Sequence, residues 1–575
     1  MRNARAMNDV VAGPFAYGQL SVPAGAPERL LLGGELGRRL ARAIHRIEHE
    51  PPYCSEYLLA QISGAPDAWC NFPRFHGDMC GRWILAESHV HAAAGSPPAD
   101  LATLVAAALA LQNPDGSFGA VQTADERLNR EKAYGNGWML RALATYAQVF
   151  GDPAVRAAAV RLGDHYLAQA PAWFASTEGE RDTGAYAATI SCFYHGLDGL
   201  VALARLTGDG RYRALAQAFV PRLTALDQAD HSHMYLTSRR GLLALLEDAG
   251  DQAGIAALVA ELDRVYDECA LESGGMPERF WLPAGTHGDD EGCTLFDWLI
   301  LCTRLFCRTG QVRWMERAIL DLENQVFHNQ CYNGGFGSCE LGHVYKQQGK
   351  EAPWCCSLFG PFGLIDSAAA WVRLVDGTLQ VNHLVTGTVR FPGGQEVRLE
   401  RDDASGVLRI DLAKAPAVQR VAVLQPHWLR LSAAGARVQD DRLLLARGGG
   451  RLEVAVAYRL WASTPGKSPR PATPAAGAEA VLFHGPWLLA HRHHDGPVPV
   501  RLQRGADGAY AGWQARHLMG LTYAGEGLRV IVPMDRKVPA SDVFRGIDQH
   551  DGELWAYPIK DKESPNQMRT RVVMG

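Results

Sequence analysis

At 575 residues the chain is too long for one hydrophobic core, and about two to four domains are expected. Its 47% apolar and 21% charged residues are those of a globular enzyme, and a net charge of −5 without a basic block excludes the electrostatic footprint of a nucleic-acid binder. No apolar run approaches the roughly 20 residues of a membrane helix.

Met1 to Tyr17 carry arginines but no apolar core of a secretory signal. With no such signal, the twelve cysteines suggest reduced thiols and a cytoplasmic address rather than a disulfide scaffold. Leu20 to Leu31 reads as irregular. From there to about residue 372, apolar residues recur at three and four, as in Leu140, Leu143, Tyr146, Ala147 and Phe150. The pattern predicts helices at Glu35–Glu48, Gly81–Ala94, Leu101–Gln112, Gly137–Phe150, Val155–Ala168, Thr189–Leu206, Tyr212–Ala225, Tyr235–Glu247, Ile255–Cys269, Thr294–Arg308, Trp314–Phe327 and Leu364–Val372. Gly151-Asp152, Thr207-Gly208-Asp209, Gly250-Asp251 and Thr309-Gly310 each end one helix with a glycine and open the next, a recurring αα-hairpin.

The composition changes after Val375-Asp376-Gly377. Gln380–Val385, Thr388–Phe391, Val397–Glu400, Val407–Leu412, Val421–Leu424 and Leu452–Tyr458 are short and β-branched or alternating, with Gly, Pro and Asp turns between them. That is the pattern of an all-β sandwich. Residues 464–479 are rich in Pro, Gly and Ala and read as a loop or linker. A second β-rich segment over residues 480–575 includes the strand-like Leu528–Pro533.

The densest chemistry lies between residues 274 and 356. It opens with Gly274-Gly275-Met276-Pro277-Glu278, passes Asp289-Asp290-Glu291-Gly292-Cys293 and closes at Trp354-Cys355-Cys356-Ser357. Glu291, Cys293, Cys355 and Cys356 offer one oxygen and three sulfurs, a sulfur-rich tetrahedral set that favours zinc over magnesium or calcium. The same cysteines also suit small apolar core positions.

Around these residues the chain resembles the β-L-arabinofuranosidase family of glycoside hydrolases, family 127 and its relatives. The resemblance is carried, in order, by Gly274-Gly275, Glu291-Gly292-Cys293, Thr309-Gly310 and Trp354-Cys355-Cys356. Phe75-His76-Gly77-Asp78 with Gly81-Arg82-Trp83, Gln112-Asn113-Pro114-Asp115-Gly116, Gln425-Pro426-His427-Trp428 and Leu482-Phe483-His484-Gly485-Pro486 extend it over about residues 10–535. It implies a multidomain α + β fold. An N-terminal (α/α)6 barrel with a wrapping segment would occupy residues 1–374, followed by a β-sandwich over 375–463 and the second β-rich segment. It further implies Zn2+ on Glu291, Cys293, Cys355 and Cys356, with Cys355 as nucleophile of a retaining hydrolase. The acid/base would be Glu278, with Asp289, Asp290 and Glu272 as alternatives. Substrate contacts are expected from His76, Asp78, Asn136, Trp138, His195, His233 (with His231 and Tyr235) and Trp354.

The expected activity is hydrolysis of a β-linked furanoside. The rival readings are another sugar, an epimerase or lyase, or a non-catalytic carbohydrate-binding protein with structural zinc. The expected partner is a small oligosaccharide or glycoside, with neither nucleic acid nor membrane, and a homodimer stays open.

Overall fold

Leu36, Leu40, Ala43 and Ile47 recur every three or four residues in the helix Gly34–His49 and are all buried, so this first long helix docks by one apolar stripe. In the computed structural model, the described residues are 23–490 except 64–69, 121–125, 181–190, 282–287, 332, 342–343, 346–348, 404 and 467, together with 10–12 and scattered strand residues beyond 490. Helices fill the N-terminal part and strands the C-terminal part. Among the described residues, no helix is long and apolar enough to cross a membrane.

Six helices contact one another in sequence. Asp78–His91 packs on Glu126–Phe150, which packs on Leu197–Thr207; Ser232–Ala249, Gly292–Thr309 and Cys356–Ala368 follow, and the last returns to Asp78–His91. These helices are buried on nearly all sides: Leu295 to Phe306 contains no exposed residue. A second set packs outside its neighbours in the chain: Pro153–Ser176, Gly210–Phe219 and Gln252–Cys269 bury one stripe each, while Val312–Asp321 is buried over most of its length. The turns between them follow the sequence: Gly208, Gly250 and Gly310 are left-handed C-caps, and the Asp209 and Asp251 side chains accept backbone N–H groups of the next helix.

The elements depart from expectation in a few places. Glu126–Phe150 starts well before Gly137, and a short helix Ser55–Ser63 was not foreseen. The segment expected as Thr189–Leu206 is divided, within its described part, into Ser191–Tyr194 and Leu197–Thr207. Trp314–Phe327 changes from α to π winding over Leu322–Val326. The last helix runs earlier, Cys356–Ala368, and Val372 belongs to a strand. Of Leu528–Pro533, Arg529–Val530 is a strand and the rest lies outside the described residues.

Within the stretch read as irregular, Arg29–Leu32 is a strand and pairs antiparallel with Gly387–Phe391. It thereby joins a seven-stranded sheet that continues through Gln395–Asp402, Val407–Lys414, Arg451–Tyr458 and Leu429–Ser432. A five-stranded sheet holds Arg437–Gln439, Arg442–Ala446, Arg420–Leu424, Thr378–Val381 and Val372–Val375. Leu408, Ile410 and Leu412 alternate inward and share one continuous buried cluster with the helices.

The π turn holds the two parts together. The Asn324 side chain donates to the carbonyls of Ser273 (3.2 Å) and Pro486 (2.9 Å) and accepts from Leu488 N (2.9 Å), while Glu323 accepts from Trp487 Nε1 at 3.0 Å.

Close helix contact makes one glycine indispensable. A Cβ on Gly81 would stand 2.7 Å from the backbone of Trp138 and Met139. Gly81→Ala is expected to force Asp78–His91 off Glu126–Phe150 and to cost about 1–3 kcal/mol, as overpacking does. The measurement is the thermal unfolding midpoint, and an unchanged midpoint would show that the pair of helices can part freely.

Candidate active site

Asp78, His233, Cys293 and Cys356 are each the first or second residue of one of the six contacting helices. Four positive helix ends therefore gather around one cleft, an arrangement that favours anionic groups. The cleft has a free volume of about 380 Å³ and is walled by Phe72, Phe75, Tyr134, Met234 and Trp354, with Asp78, Arg82, His231, His233, Glu291 and Cys355 as its polar lining.

At its base, Glu291, Cys293, Cys355 and Cys356 bring one oxygen and three sulfurs within 4.8 Å of one another. Cys356 Sγ lies 3.6 Å from both Cys293 Sγ and Cys355 Sγ. For sulfurs about 2.3 Å from a tetrahedral zinc, the edge would be about 3.8 Å, so spacing and donor type fit that ion. The thiols are not equivalent: Cys293 and Cys356 are fully buried, whereas Cys355 is 9% exposed and reaches the cleft. Hydrogen bonding from Cys293 and Cys356 draws Cys355 down to about 6, while burial pushes Cys293, Cys356 and Glu291 upward. The eleven cysteines whose side chains are described are free thiols.

One buried cation ties the cleft together. Arg82 donates from Nε to Asp78 (2.6 Å), from Nη2 to Tyr134 Oη (2.9 Å) and to His233 Nε2 (3.2 Å), and from Nη1 to Cys293 Sγ (3.5 Å). Its guanidinium lies 3.9 Å from the centre of the Trp138 ring. Burial opposes its charge, but Asp78, Tyr134 and the sulfurs outweigh burial and hold its pKa well above the ordinary value. Because arginine only donates, His233 Nε2 is an acceptor and Nδ1 carries the proton given to Asp297 at 2.6 Å. Burial, Arg82 and Arg240 keep that ring neutral. Behind it, Arg240 Nε is 2.8 Å from Asp297, its Nη2 is 3.6 Å from Asp198, and Arg141 pairs with Asp198 in turn.

Glu278 follows the Gly274–Gly275 turn and is half-buried. Its carbonyl accepts from Ser232 N at 2.9 Å, Pro277 bridges Asp290, and its charge weighs on Glu291. His231 Nε2 lies 3.4 Å from Glu291 Oε2, and Thr294 donates to the same oxygen at 3.1 Å. The carboxylate cluster thus sits at the start of Gly292–Thr309 with the candidate acid/base beside it.

Other expected contacts lie elsewhere. His76 Nδ1 is taken by the Gln61 carbonyl at 2.5 Å, and the Asn136 amide is spent on backbone groups of His76, Phe118 and Lys132. Trp138 and His195 form the layer behind Arg82 and Tyr134 and do not line the cleft. Tyr235 bonds Glu261 on the outer side. Arg82, Tyr134, Phe72 and Asp297 were not foreseen as site residues. Two of them carried a signal, Arg82 four residues after Asp78 and Asp297 four after Cys293, each on the same helix face.

The chain matches a family model described as the β-L-arabinofuranosidase GH127 catalytic domain over residues 42–356. No curated protein matches it. Among solved structures it is similar to a GH127 β-arabinofuranosidase (14% identity, 99% of this chain and 98% of the other covered, TM-score 0.61). It is also similar to a glycoside hydrolase (14%, 97% and 99%, TM-score 0.60). A third is a GH127 β-L-arabinofuranosidase from Geobacillus stearothermophilus T6 (13%, 95% and 100%, TM-score 0.59). At these identities the structures speak for the fold alone.

Arg82→Met would leave Asp78 buried and uncompensated and His233 without its donor. The expected loss is about 3–5 kcal/mol, the usual cost of breaking a buried pair, with Arg82→Lys losing less. Chemical unfolding checks it, and a methionine variant as stable as the parent would show that Asp78 does not depend on this cation.

Proposed function

We propose, from the premise that this chain belongs to the GH127 β-L-arabinofuranosidase family of glycoside hydrolases, that it cleaves a β-linked furanoside, a β-L-arabinofuranoside first, with retention at the anomeric carbon. The observation that carries the reading is Cys355, the one thiol of the donor cluster that reaches the cleft. Membership in a hydrolase family favours this over the epimerase, lyase and non-catalytic readings. We read the closed circuit of six helices and their outer partners as an (α/α)6 barrel, and the two C-terminal sheets as a sandwich. The free thiols accord with a reducing, cytoplasmic setting.

Glu291, Cys293, Cys355 and Cys356 would hold a zinc ion, which when bound strips protons from thiols and keeps them as thiolates. The chain's own groups then divide the work. Phe72, Phe75, Tyr134 and Trp354 supply apolar faces for the sugar ring, and Asp78 and His231 supply hydrogen-bonding groups to its hydroxyls. Arg82 holds Asp78, Tyr134 and His233 in place while its charge favours a thiolate nearby.

In the first step Cys355 Sγ forms a bond to the anomeric carbon as the bond to the leaving oxygen breaks, and Glu278 passes its proton to that oxygen. In the second, Glu278 takes a proton from water as the water oxygen attacks the same carbon, and the electron pair of the C–S bond returns to Cys355. Two inversions give net retention.

The test is a panel of aryl β-furanosides followed by NMR, with metal analysis of the purified protein. The first-formed sugar is expected to be the β anomer. Cys355→Ser is expected to lose about 10⁴-fold or more in kcat, as removal of a nucleophile does, and Cys293→Ala and Cys356→Ala to lose metal. An inverted product, or a Cys355→Ser enzyme near the parent rate, would end this assignment.

A further inference from the structure

The helix that brings Asp78 and Arg82 to the cleft carries a second donor cluster at its other end. Glu87 and His91 lie in its last turns and face Glu48, near the end of Gly34–His49. His91 Nε2 is 2.9 Å from Glu48 Oε1 and 3.1 Å from Glu87 Oε2, and the donor atoms of all three residues lie within 4.8 Å. Glu48 Oε2 is 3.5 Å from His49 Nε2, whose ring packs edge-on against His45.

Two features point to an ion. Glu87 is only 2% exposed, yet its Oε1 has no hydrogen-bond partner, an expensive position for a carboxylate oxygen. Glu48 also stands in the last turn of its helix, where the backbone contributes further negative potential. A divalent ion held there would supply a positive partner for the two carboxylates. We propose that Glu48, Glu87 and His91 form a second metal site, for a divalent transition-metal ion of the zinc class.

The spacings suit such an ion. Ligands about 2.0 Å from a tetrahedral centre stand about 3.3 Å apart, close to the 2.9 and 3.1 Å found here. One imidazole with two carboxylates selects zinc-like ions over magnesium or calcium, which prefer oxygen throughout. The side chains of Glu48 and His91 are 22% and 27% exposed, so the ion and the water completing its shell have a route in. On binding, the ion takes the Nε2 lone pair of His91 and the proton there leaves to solvent. The site would fasten Gly34–His49 to Asp78–His91, adding to the Trp83 Nε1 bond to the Ile47 carbonyl at 3.1 Å. Its role is structural and lies outside the hydrolytic chemistry.

The test uses the full chain without a histidine tag, stripped with a chelator and reloaded with Co2+ or Zn2+ alone. The parent is expected to take up one equivalent more than His91→Ala and Glu87→Gln. The sulfur-to-cobalt charge-transfer band and the hydrolytic rate should be the same in all three. Metal should raise the melting temperature of the parent by a few degrees more than that of either variant. Glu48→Gln, on the solvent side, replaces Glu87→Gln if the buried change does not fold. Equal uptake in parent and variants, or an equal thermal shift, overturns the proposal. Loss of the charge-transfer band in the parent would count against the cysteine site and leave this difference readable.

Discussion

Three sulfurs and a carboxylate crowded within 4.8 Å repel one another as soon as they ionise, and much of the surrounding structure answers that repulsion. Four helix N-termini point at the group, and Arg82 is buried beside it. Without a cation the thiols share their protons unequally: Cys355 is drawn down while Cys293 and Cys356 are pushed up. The positive helix ends and Arg82 offset part of the charge these groups would carry when ionised.

The second organising device is a line of buried charges crossing the helical part. Asp297, Arg240, Asp198 and Arg141 come from four different helices and alternate in sign. Such pairs bring little net stability, because both partners are desolvated, but they penalise any helix rotation that would part them. His233 is the cleft end of this line, so the orientation of one imidazole is tied to the packing of four helices.

Helix and strand types were readable from periodicity most directly in the outer helices, which bury one stripe, and in strands such as Val407–Lys414, which alternate. The site was readable in its ligands only through the resemblance, because Cys293 and Cys355 lie far apart in the chain and nothing local joins them. Two of the expected substrate contacts are engaged by the backbone. Asn136 and His76 look like polar groups awaiting a sugar, yet the backbone claims them. The expected helix start at Gly137 falls inside Glu126–Phe150, and Gly135 and Gly137 do not mark a helix end. In fact they allow close approach: a Cβ on Gly135 would stand 2.5 Å from the carbonyls of Phe75 and His76, and one on Gly137 would stand 3.1 Å from Gly196. Arg82 escaped notice as a site residue because an arginine four residues from an aspartate usually marks an exposed helix pair.

The π turn at Leu322–Val326 has a consequence for how this architecture can change over time. Its extra residue turns Glu323 and Asn324 toward Trp487, Pro486 and Leu488, while the same Asn324 reaches the carbonyl of Ser273, just ahead of the glycines that lead to Glu278. The hairpin around Gly485 is thus joined through one side chain, Asn324, to the loop bearing the candidate acid/base. Shuffling the strand-rich part onto another partner, or trimming the gene to the helical portion, would untie that loop. The two parts are bound to evolve as one inheritance, which accords with the coverage of 95% or more between this chain and its structural relatives.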